Sequence, residues 1–107
     1  MKLRLSPKQI RLRLSIDELK TLSAVGLLSE TIHFNPLEVF TYSLRTWNLA
    51  LLEATFTSKE LLVSLPEEMF LELQTRKKIM VEQIQNEGLK EEILVIVELD
   101  MNELKKE

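Results

Sequence analysis

Residues 10–19 read Ile-Arg-Leu-Arg-Leu-Ser-Ile-Asp-Glu-Leu, and the period of the apolar residues changes inside this stretch. Over residues 10–14 apolar side chains alternate with arginines, a period of two that predicts a strand with one buried face. From Ser15 onward the apolar positions recur every three to four residues. Glu18 follows Ser15 by three residues, which is the spacing of a capping box. The stretch therefore predicts a strand that runs directly into a helix over Ile16–Val25.

Further alternations on both sides of this stretch predict more strands. Residues 2–5 predict a strand that forms a hairpin with residues 10–14. Gly26 is placed to end the first helix in a left-handed conformation. The remaining alternations predict two more hairpins, one from residues 28–34 and 40–45, and one from residues 49–56 and 61–65. Because the last loop lacks glycine, we expect a four-residue turn there rather than a tight primed turn.

A second helix is predicted after the third hairpin. Ser64 is the expected N-cap, Pro66 falls in the first turn, and Glu67 has the capping-box spacing. We expect this helix to reach about residue 77. Residues 79–85 would either extend the helix or form a short strand, and we favour the strand. Residues 93–99 are rich in β-branched side chains and predict a final strand.

These elements predict a single α+β domain over residues 1–107. We expect a mainly antiparallel sheet, or an open barrel, of six to seven strands with two short helices, since sequential strands joined by short loops are usually antiparallel. The charged tail is expected to fray from about residue 102. No internal repeat is apparent in the sequence.

The composition excludes several classes of chemistry. The 107 residues include no cysteine, one histidine and two glycines, which argues against disulfide scaffolds, thiolate metal sites, cysteine nucleophiles and glycine-rich phosphate loops. We therefore predict no catalytic residues, no metal site and no cofactor, and we expect His33 to be a surface residue. The longest apolar runs, residues 93–97 and 49–52, are too short to cross a bilayer. We expect a cytoplasmic protein without membrane contact.

Charge is distributed unevenly along the chain. Residues 1–14 hold five basic residues and no acid, whereas residues 67–107 hold 11 acids and six bases, and the net charge is −3. No aromatic residue is interleaved with the N-terminal bases, so a nucleic-acid partner is not expected. We favour internal neutralisation, with Arg11 and Arg13 facing Glu98 and Asp100 from a neighbouring strand. The alternative is that these four residues form a binding site.

Two other features are candidates for contacts with a partner. Trp47 follows a predicted strand and could anchor an interface or pack over the end of a sheet. Leu49 and Leu51 belong to a run that is apolar on both faces, which is typical of a central strand or of a strand covered by a partner. We take Trp47, Leu49 and Leu51 as candidate interface residues. The expected partner is a second copy of the chain or an unidentified protein.

Several stretches together resemble a family of small bacterial proteins catalogued as a domain of unknown function. The matching stretches are residues 10–19, 30–34 with 40–44, 62–66 and 97–100, in that order. The resemblance covers nearly the whole chain and implies no activity, ligand or catalytic residue. The chain departs from the pattern of several family members at residues 78–81, where those relatives carry a glycine after the second helix. It also lacks the longer, cysteine-containing tail of many relatives.

The sequence therefore favours a small, non-catalytic binding or protein-interaction module. The alternative is a small-ligand-binding protein or an enzyme that uses Glu98 and Asp100 with Arg11 and Arg13 in a cleft. The same carboxylates are too few for a convincing metal site.

Overall fold

A computed structural model describes residues 1–104 of the chain. In chain order its elements are β1 (Lys2–Ser6), β2 (Gln9–Leu14), α1 (Ile16–Val25), β3 (Leu27–His33), β4 (Val39–Trp47), β5 (Glu53–Thr57), β6 (Glu60–Pro66), α2 (Glu67–Gln74), β7 (Met80–Gln85), β8 (Ile93–Leu99) and α3 (Met101–Leu104). The start of the tail is thus a single helical turn, and the rest of the tail lies outside the described residues. No helix within residues 1–104 is long and apolar enough to cross a membrane.

The strands form two four-stranded mixed sheets. The first sheet has the order β1-β2-β8-β7, and the second has the order β3-β4-β6-β5. In each sheet the central pair is parallel and the outer pairs are antiparallel. The α+β class is confirmed, whereas the expected single sheet of six to seven strands is wrong. The favoured charge pairing required β2 to neighbour β8, and it does, but the parallel direction of this pair was not predicted, because local periodicity does not show how distant strands pair.

The first helix begins and ends as the sequence predicts. The Ser15 hydroxyl accepts a hydrogen bond from the Glu18 N–H at 3.1 Å, and the Glu18 carboxylate accepts one from the Ser15 N–H at 2.9 Å. Gly26 adopts φ +81°, in the left-handed region, and its N–H donates to the Leu22 carbonyl at 2.8 Å. The capping box and the glycine end are both confirmed, because both depend only on residues adjacent in sequence.

The second helix differs from its prediction at both ends. Ser64 is not the N-cap: it is buried in β6, where its hydroxyl accepts a hydrogen bond from Arg45 Nε at 2.9 Å. Pro66 occupies the N-cap position without a side-chain hydrogen bond. The helix ends at Gln74 rather than near residue 77, and Arg76 turns the chain at φ +63°. The favoured strand over residues 79–85 is confirmed as β7.

The third hairpin is tighter and shorter than predicted. Ser58 (φ +48°) and Lys59 (φ +67°) form a two-residue turn, and a positive φ at both central residues is the signature of a type I′ turn. The expected four-residue turn is therefore wrong. The strand begins only at Glu53, so residues 49–52 are loop. Leu52 from this loop is buried in the core, whereas Leu51 is 57% exposed.

The core lies between the inner faces of the two sheets. Leu12 and Leu14 of β2 contribute to it from the first sheet, and Leu44 and Val63 from the second. The helices add three leucines to the same cluster, namely Leu19, Leu22 and Leu73. Each sheet packs its inner face on this core, and arginines such as Arg11, Arg13 and Arg45 lie on the outer faces.

The registers reveal an internal repeat. Adding 51 to each residue number carries the β1–β2 pair Lys2↔Arg13 onto the β5–β6 pair Glu53↔Ser64. Adding 53 carries the β3–β4 pair Leu27↔Arg45 onto the β7–β8 pair Met80↔Glu98. The chain is thus two ββαββ halves, and each sheet takes one hairpin from each half.

The repeat is almost invisible in the sequence. At a shift of 51, residues 1–25 share only three identities with the second half, and these are Lys8 with Lys59, Leu14 with Leu65, and Leu22 with Leu73. Buried leucines of the helices and inner strands are therefore retained, while the outer faces differ. The two outer faces can consequently serve different purposes.

Candidate functional site

The outer face of the first hairpin brings four basic side chains together. In the antiparallel β1–β2 pair Lys2 lies directly opposite Arg13, and Arg4 lies directly opposite Arg11. Their apolar neighbours, such as Leu12, point into the core. Directly opposed residues in such a pair have Cβ atoms about 4.5–5.5 Å apart, and opposed like charges destabilise the pair. The hairpin therefore holds two unfavourable cation pairs in adjacent rows.

These side chains line a concave surface. A cleft of about 330 Å³ is bounded by five residues of β1 and β2, which we call the basic cleft: Lys2, Leu3, Arg4, Arg11 and Arg13. Except for Leu3, every residue that lines it carries a positive charge. A cleft lined by one sign of charge concentrates the field and favours ions of the opposite sign.

Glu98 comes to the edge of the basic cleft from β8. The parallel β2–β8 pairing places it opposite Arg13. Its Oε1 lies 3.0 Å from Arg13 Nε and 3.6 Å from Arg11 Nη1, and its side chain is only 14% exposed. Strand β2 does neighbour the strand that carries Glu98, as internal neutralisation requires. A single carboxylate serves both arginines.

Asp100 has a different partner from the one expected. Its carboxylate lies 3.8 Å from the ammonium of Lys2, and its backbone N–H donates to the Leu14 carbonyl at 2.8 Å. Arg13, Glu98 and Asp100 also line a smaller depression of about 110 Å³ beside the basic cleft. The four sequence-derived candidates are thus brought together, but Asp100 pairs with Lys2 rather than with an arginine.

Neutralisation of the basic cleft is incomplete. Among residues 1–104, Arg4 forms no ion pair, and Arg11 Nε is buried without a hydrogen-bond partner. Four cations thus face the two carboxylates of Glu98 and Asp100. A buried donor without an acceptor is uncommon in folded proteins. The excess of positive charge therefore lies around Arg4, which has no ion pair, and Arg11, which shares Glu98 with Arg13.

The arrangement is suited to anion binding. Arginine presents a planar fork of N–H donors that matches the oxygens of carboxylate and phosphate groups. No aromatic side chain lines the cleft, so it provides no platform on which a base could stack. Within the described part of the chain, no group of three or more His, Cys, Asp or Glu residues could hold a metal ion.

Comparison with known proteins agrees with the resemblance in the sequence. A family model described as a family of unknown function, DUF7009, matches residues 1–107. The chain belongs to DUF7009. No curated protein and no solved structure matches it. Membership of DUF7009 carries no activity or ligand, so the function of this member is argued from its geometry.

The candidate interface residues lie elsewhere on this DUF7009 fold. Trp47 ends β4 on the outer face of the second sheet, is 55% exposed, and has the Arg45 guanidinium 4.5 Å from its ring centroid. Leu49 is half-buried and Leu51 is exposed in the loop before β5. The central strand expected for residues 49–52 is wrong, because only Leu52 turns into the core. The predicted homodimer stays a prediction.

Two residues of the basic cleft were not among the candidates from sequence. Lys2 and Arg4 were noted only as part of a basic segment, although the predicted hairpin already implied that they share a face with Arg11 and Arg13. Lys8, the fifth base of that segment, lies in the hairpin turn, and its ammonium donates to the Lys90 carbonyl at 3.1 Å. Strand alternation distinguishes these bases in the sequence. Lys2 and Arg4 alternate with leucines on a strand, whereas Lys8 lies in the turn and does not belong to the alternation.

Proposed function

We propose that this protein is a non-catalytic binding module that holds an anionic group of its partner in the basic cleft. The observation that carries the proposal is the facing arrangement of Lys2 with Arg13 and of Arg4 with Arg11. Such opposed like charges weaken the hairpin by roughly 0.2–1 kcal/mol per pair, and an anion between them reverses the sign of the interaction. The arrangement is therefore suited to a charged partner.

Ligand binding of this kind stabilises the folded state. A ligand that binds only the folded chain raises its stability by an amount set by concentration and affinity. The basic hairpin is built by tertiary pairing, so the unfolded chain does not present the four cations in one place. Anion binding and thermal stability are consequently linked, and one can be measured through the other.

A thermal melt in the presence of a hexaglutamate peptide tests the proposal. We expect the peptide to raise the melting temperature of the wild type, and to raise that of Arg4→Gln and Arg11→Gln much less. Lys20→Gln is the matched control, because Lys20 is an exposed base on α1 outside the cleft. An equal rise in all four proteins would show that the peptide acts through net charge alone and would contradict the proposal.

A second candidate function is a small-ligand-binding protein or an enzyme that uses Glu98 and Asp100 with Arg11 and Arg13. It is supported by the smaller depression, where Arg13, Glu98 and Asp100 meet. Catalysis would require Glu98 to exchange a proton with a substrate while two arginines hold its carboxylate. Turnover that Glu98→Gln abolishes while the ligand still binds would favour this candidate over a binding module.

The expected homodimer is a separate proposal, supported by the exposure of Trp47 and Leu51. Large apolar side chains that form one contiguous exposed patch are typical of contact sites. Sedimentation velocity of the wild type beside the double variant Trp47→Ser/Leu51→Ser tests it. A dimer that dissociates in the double variant supports the interface, and a monomeric wild type at high concentration rejects it.

A further inference from the structure

We propose that the group recognised by the basic cleft is a phosphoryl dianion, as found in inorganic phosphate and in phosphomonoesters. The inference rests on the proposed function, since it names the ligand class of the same cleft. It follows from three properties of the site, namely its charge balance, the state of its donors and its shape.

The charge balance of the cleft matches a dianion. Lys2, Arg4, Arg11 and Arg13 carry four positive charges, and Glu98 and Asp100 return two negative charges. The remaining excess is two. A phosphoryl group carries about −1.5 to −2 charges at pH 7, whereas a carboxylate carries one. A phosphoryl group therefore neutralises the excess with a single ligand, and a carboxylate leaves half of it.

The donors that remain free are of the type that phosphoryl oxygens accept. Glu98 Oε1 lies close to Arg13 Nε at 3.0 Å but only at 3.6 Å from Arg11 Nη1, beyond ordinary hydrogen-bond distance. Arg4 forms no ion pair within residues 1–104. Arg4 and Arg11 are directly opposed, so their two guanidinium groups can share the oxygens of one tetrahedral anion.

The shape of the cleft favours a compact ligand. Its volume of about 330 Å³ is at the lower end of the range for small-molecule sites. Its lining has no aromatic ring, and its one apolar residue, Leu3, packs against the core. The phosphoryl group itself, rather than a base or an acyl chain attached to it, is therefore what the cleft contacts.

Glu98 also sets the strength of the site in this proposal. Its carboxylate competes with the ligand for Arg11 and adds a negative charge beside the bound dianion. Replacing it with glutamine keeps the size of the side chain and removes the charge. Phosphoryl binding should then become several-fold tighter, because the repulsion between the two anions is lost.

A ¹⁵N-HSQC titration of the full chain at fixed ionic strength tests the inference. The probes are inorganic phosphate, O-phosphoserine and acetate, the last as a monoanion control. We expect saturable shifts of the β1 and β2 amides with both phosphoryl probes and none of comparable affinity with acetate. Tighter binding of O-phosphoserine than of phosphate indicates a phosphorylated side chain as the source, and equal binding indicates free phosphate.

Single substitutions inside and outside the basic cleft test whether phosphate binds there. Arg4→Gln and Arg11→Gln should each weaken phosphate binding by roughly tenfold, the loss expected for one charge-assisted hydrogen bond. Lys20→Gln should leave the affinity unchanged, and Glu98→Gln should raise it. The HSQC spectrum of each variant shows whether it is folded, so a loss of binding in a folded variant is assigned to the cleft.

Several outcomes overturn the inference. Equal affinity for acetate and phosphate, or wild-type affinity in Arg4→Gln, would reject a phosphoryl site. Weaker binding in Glu98→Gln would reject the competing role of that carboxylate. If hexaglutamate shifts the cleft amides while neither phosphoryl probe does, the phosphoryl inference fails and the proposed function stands. If no anion shifts them, both fail.

Discussion

The side-chain amide of Gln85 forms two hydrogen bonds of 2.8 Å with the backbone of Ala54, one to its N–H and one to its carbonyl. Gln85 ends β7 in the first sheet, and Ala54 lies in β5 at the edge of the second sheet. The amide thus presents the donor and acceptor that a neighbouring strand would present. It joins β7 to β5 at the edges of the two sheets, which we call the seam. The backbones of these two strands do not pair with each other.

Replacing Gln85 should therefore destabilise the fold. We expect Gln85→Ala to lower the free energy of unfolding by about 1–3 kcal/mol, because the N–H and the carbonyl of the buried Ala54 both lose their partner. Urea unfolding followed by circular dichroism measures this change. Gln83→Ala is the control on the same face of β7, since the Gln83 side chain forms no hydrogen bond within residues 1–104. Equal losses in both variants would show that the seam does not depend on this amide pair.

Tyr42 should ionise at an unusually high pH. Burial, together with the hydrogen-bonded Glu30 carboxylate beside it, raises the pKa of its hydroxyl from 10.0 to about 12. Tyr42 is the only tyrosine in the chain, so absorbance at 295 nm reports its ionisation alone. We expect a midpoint near pH 12 in the folded protein and about pH 10 in guanidinium chloride. Identical midpoints would contradict the buried, Glu30-linked hydroxyl.

The raised pKa of Tyr42 also predicts the direction in which stability changes at alkaline pH. Because the folded pKa of Tyr42 exceeds the unfolded value, the unfolded state loses its proton first, and stability falls as the pH rises from 10 toward 12. Tyr42→Phe has no such proton to lose. The variant should therefore show a smaller decrease in urea midpoint than the wild type over this interval. Parallel decreases would assign the loss to other groups.

Glu18 should contribute to stability at neutral pH and not in acid. Burial alone would raise the pKa of Glu18, but the ammonium of Met1 and the N–H and hydroxyl of Ser15 outweigh it, and the net pKa lies below the ordinary value of 4.5. Since the folded pKa is depressed, the stabilisation is present above the unfolded pKa and is lost as the pH falls through the folded pKa.

The variant Glu18→Gln isolates this charge, because glutamine also completes a capping box. We expect its melting temperature to be roughly 5 °C below that of the wild type at pH 7, and the difference to vanish in strong acid. Asp17→Asn removes an exposed carboxylate from the same helical turn and should change the profile little. A constant difference between Glu18→Gln and wild type at every pH would reject the proposed charge effect.

Leucines at equivalent positions of the two halves should contribute similarly to the free energy of unfolding. Leu22 of α1 and Leu73 of α2 are 1% and 0% exposed and occupy matching places in the repeat. We expect Leu22→Ala and Leu73→Ala each to lower the free energy of unfolding by about 2–5 kcal/mol, through lost burial and the cavity left behind. Leu71→Ala, at a 56% exposed position of α2, should lower it by less than about 1 kcal/mol. Chemical denaturation distinguishes these cases.

Features that depend on neighbouring residues were predictable from the sequence. The capping box of Ser15 and Glu18, the left-handed Gly26 and the first two hairpins all follow from local side-chain chemistry and strand alternation. The role of Ser64 was not predictable, because its hydroxyl accepts from Arg45 on a paired strand instead of capping the next helix. The turn at Ser58 lacks glycine, and strand pairing enforces its positive φ.

The candidate site was predictable in its membership and not in its pairing. Arginines that alternate with buried leucines must share an outer face, whatever the topology. The parallel neighbour that brings Glu98 to Arg13, and the placement of Asp100 beside Lys2, depend on contacts across more than 80 residues of chain. No local pattern encodes such a contact, because many strand orders bury the same apolar faces.

The sequence by itself thus determined which side chains of β2 are buried, where the first helix begins and ends, and that Lys2, Arg4, Arg11 and Arg13 lie on one face of the first hairpin. Tertiary structure alone decided that the strands divide into two sheets, that each half of the chain contributes a hairpin to both, and that Glu98 offsets only part of the basic charge. The physical reason is the distance along the chain over which each interaction acts. Strand alternation and capping act within a few residues, whereas sheet order is selected by the combined packing of all the apolar faces at once.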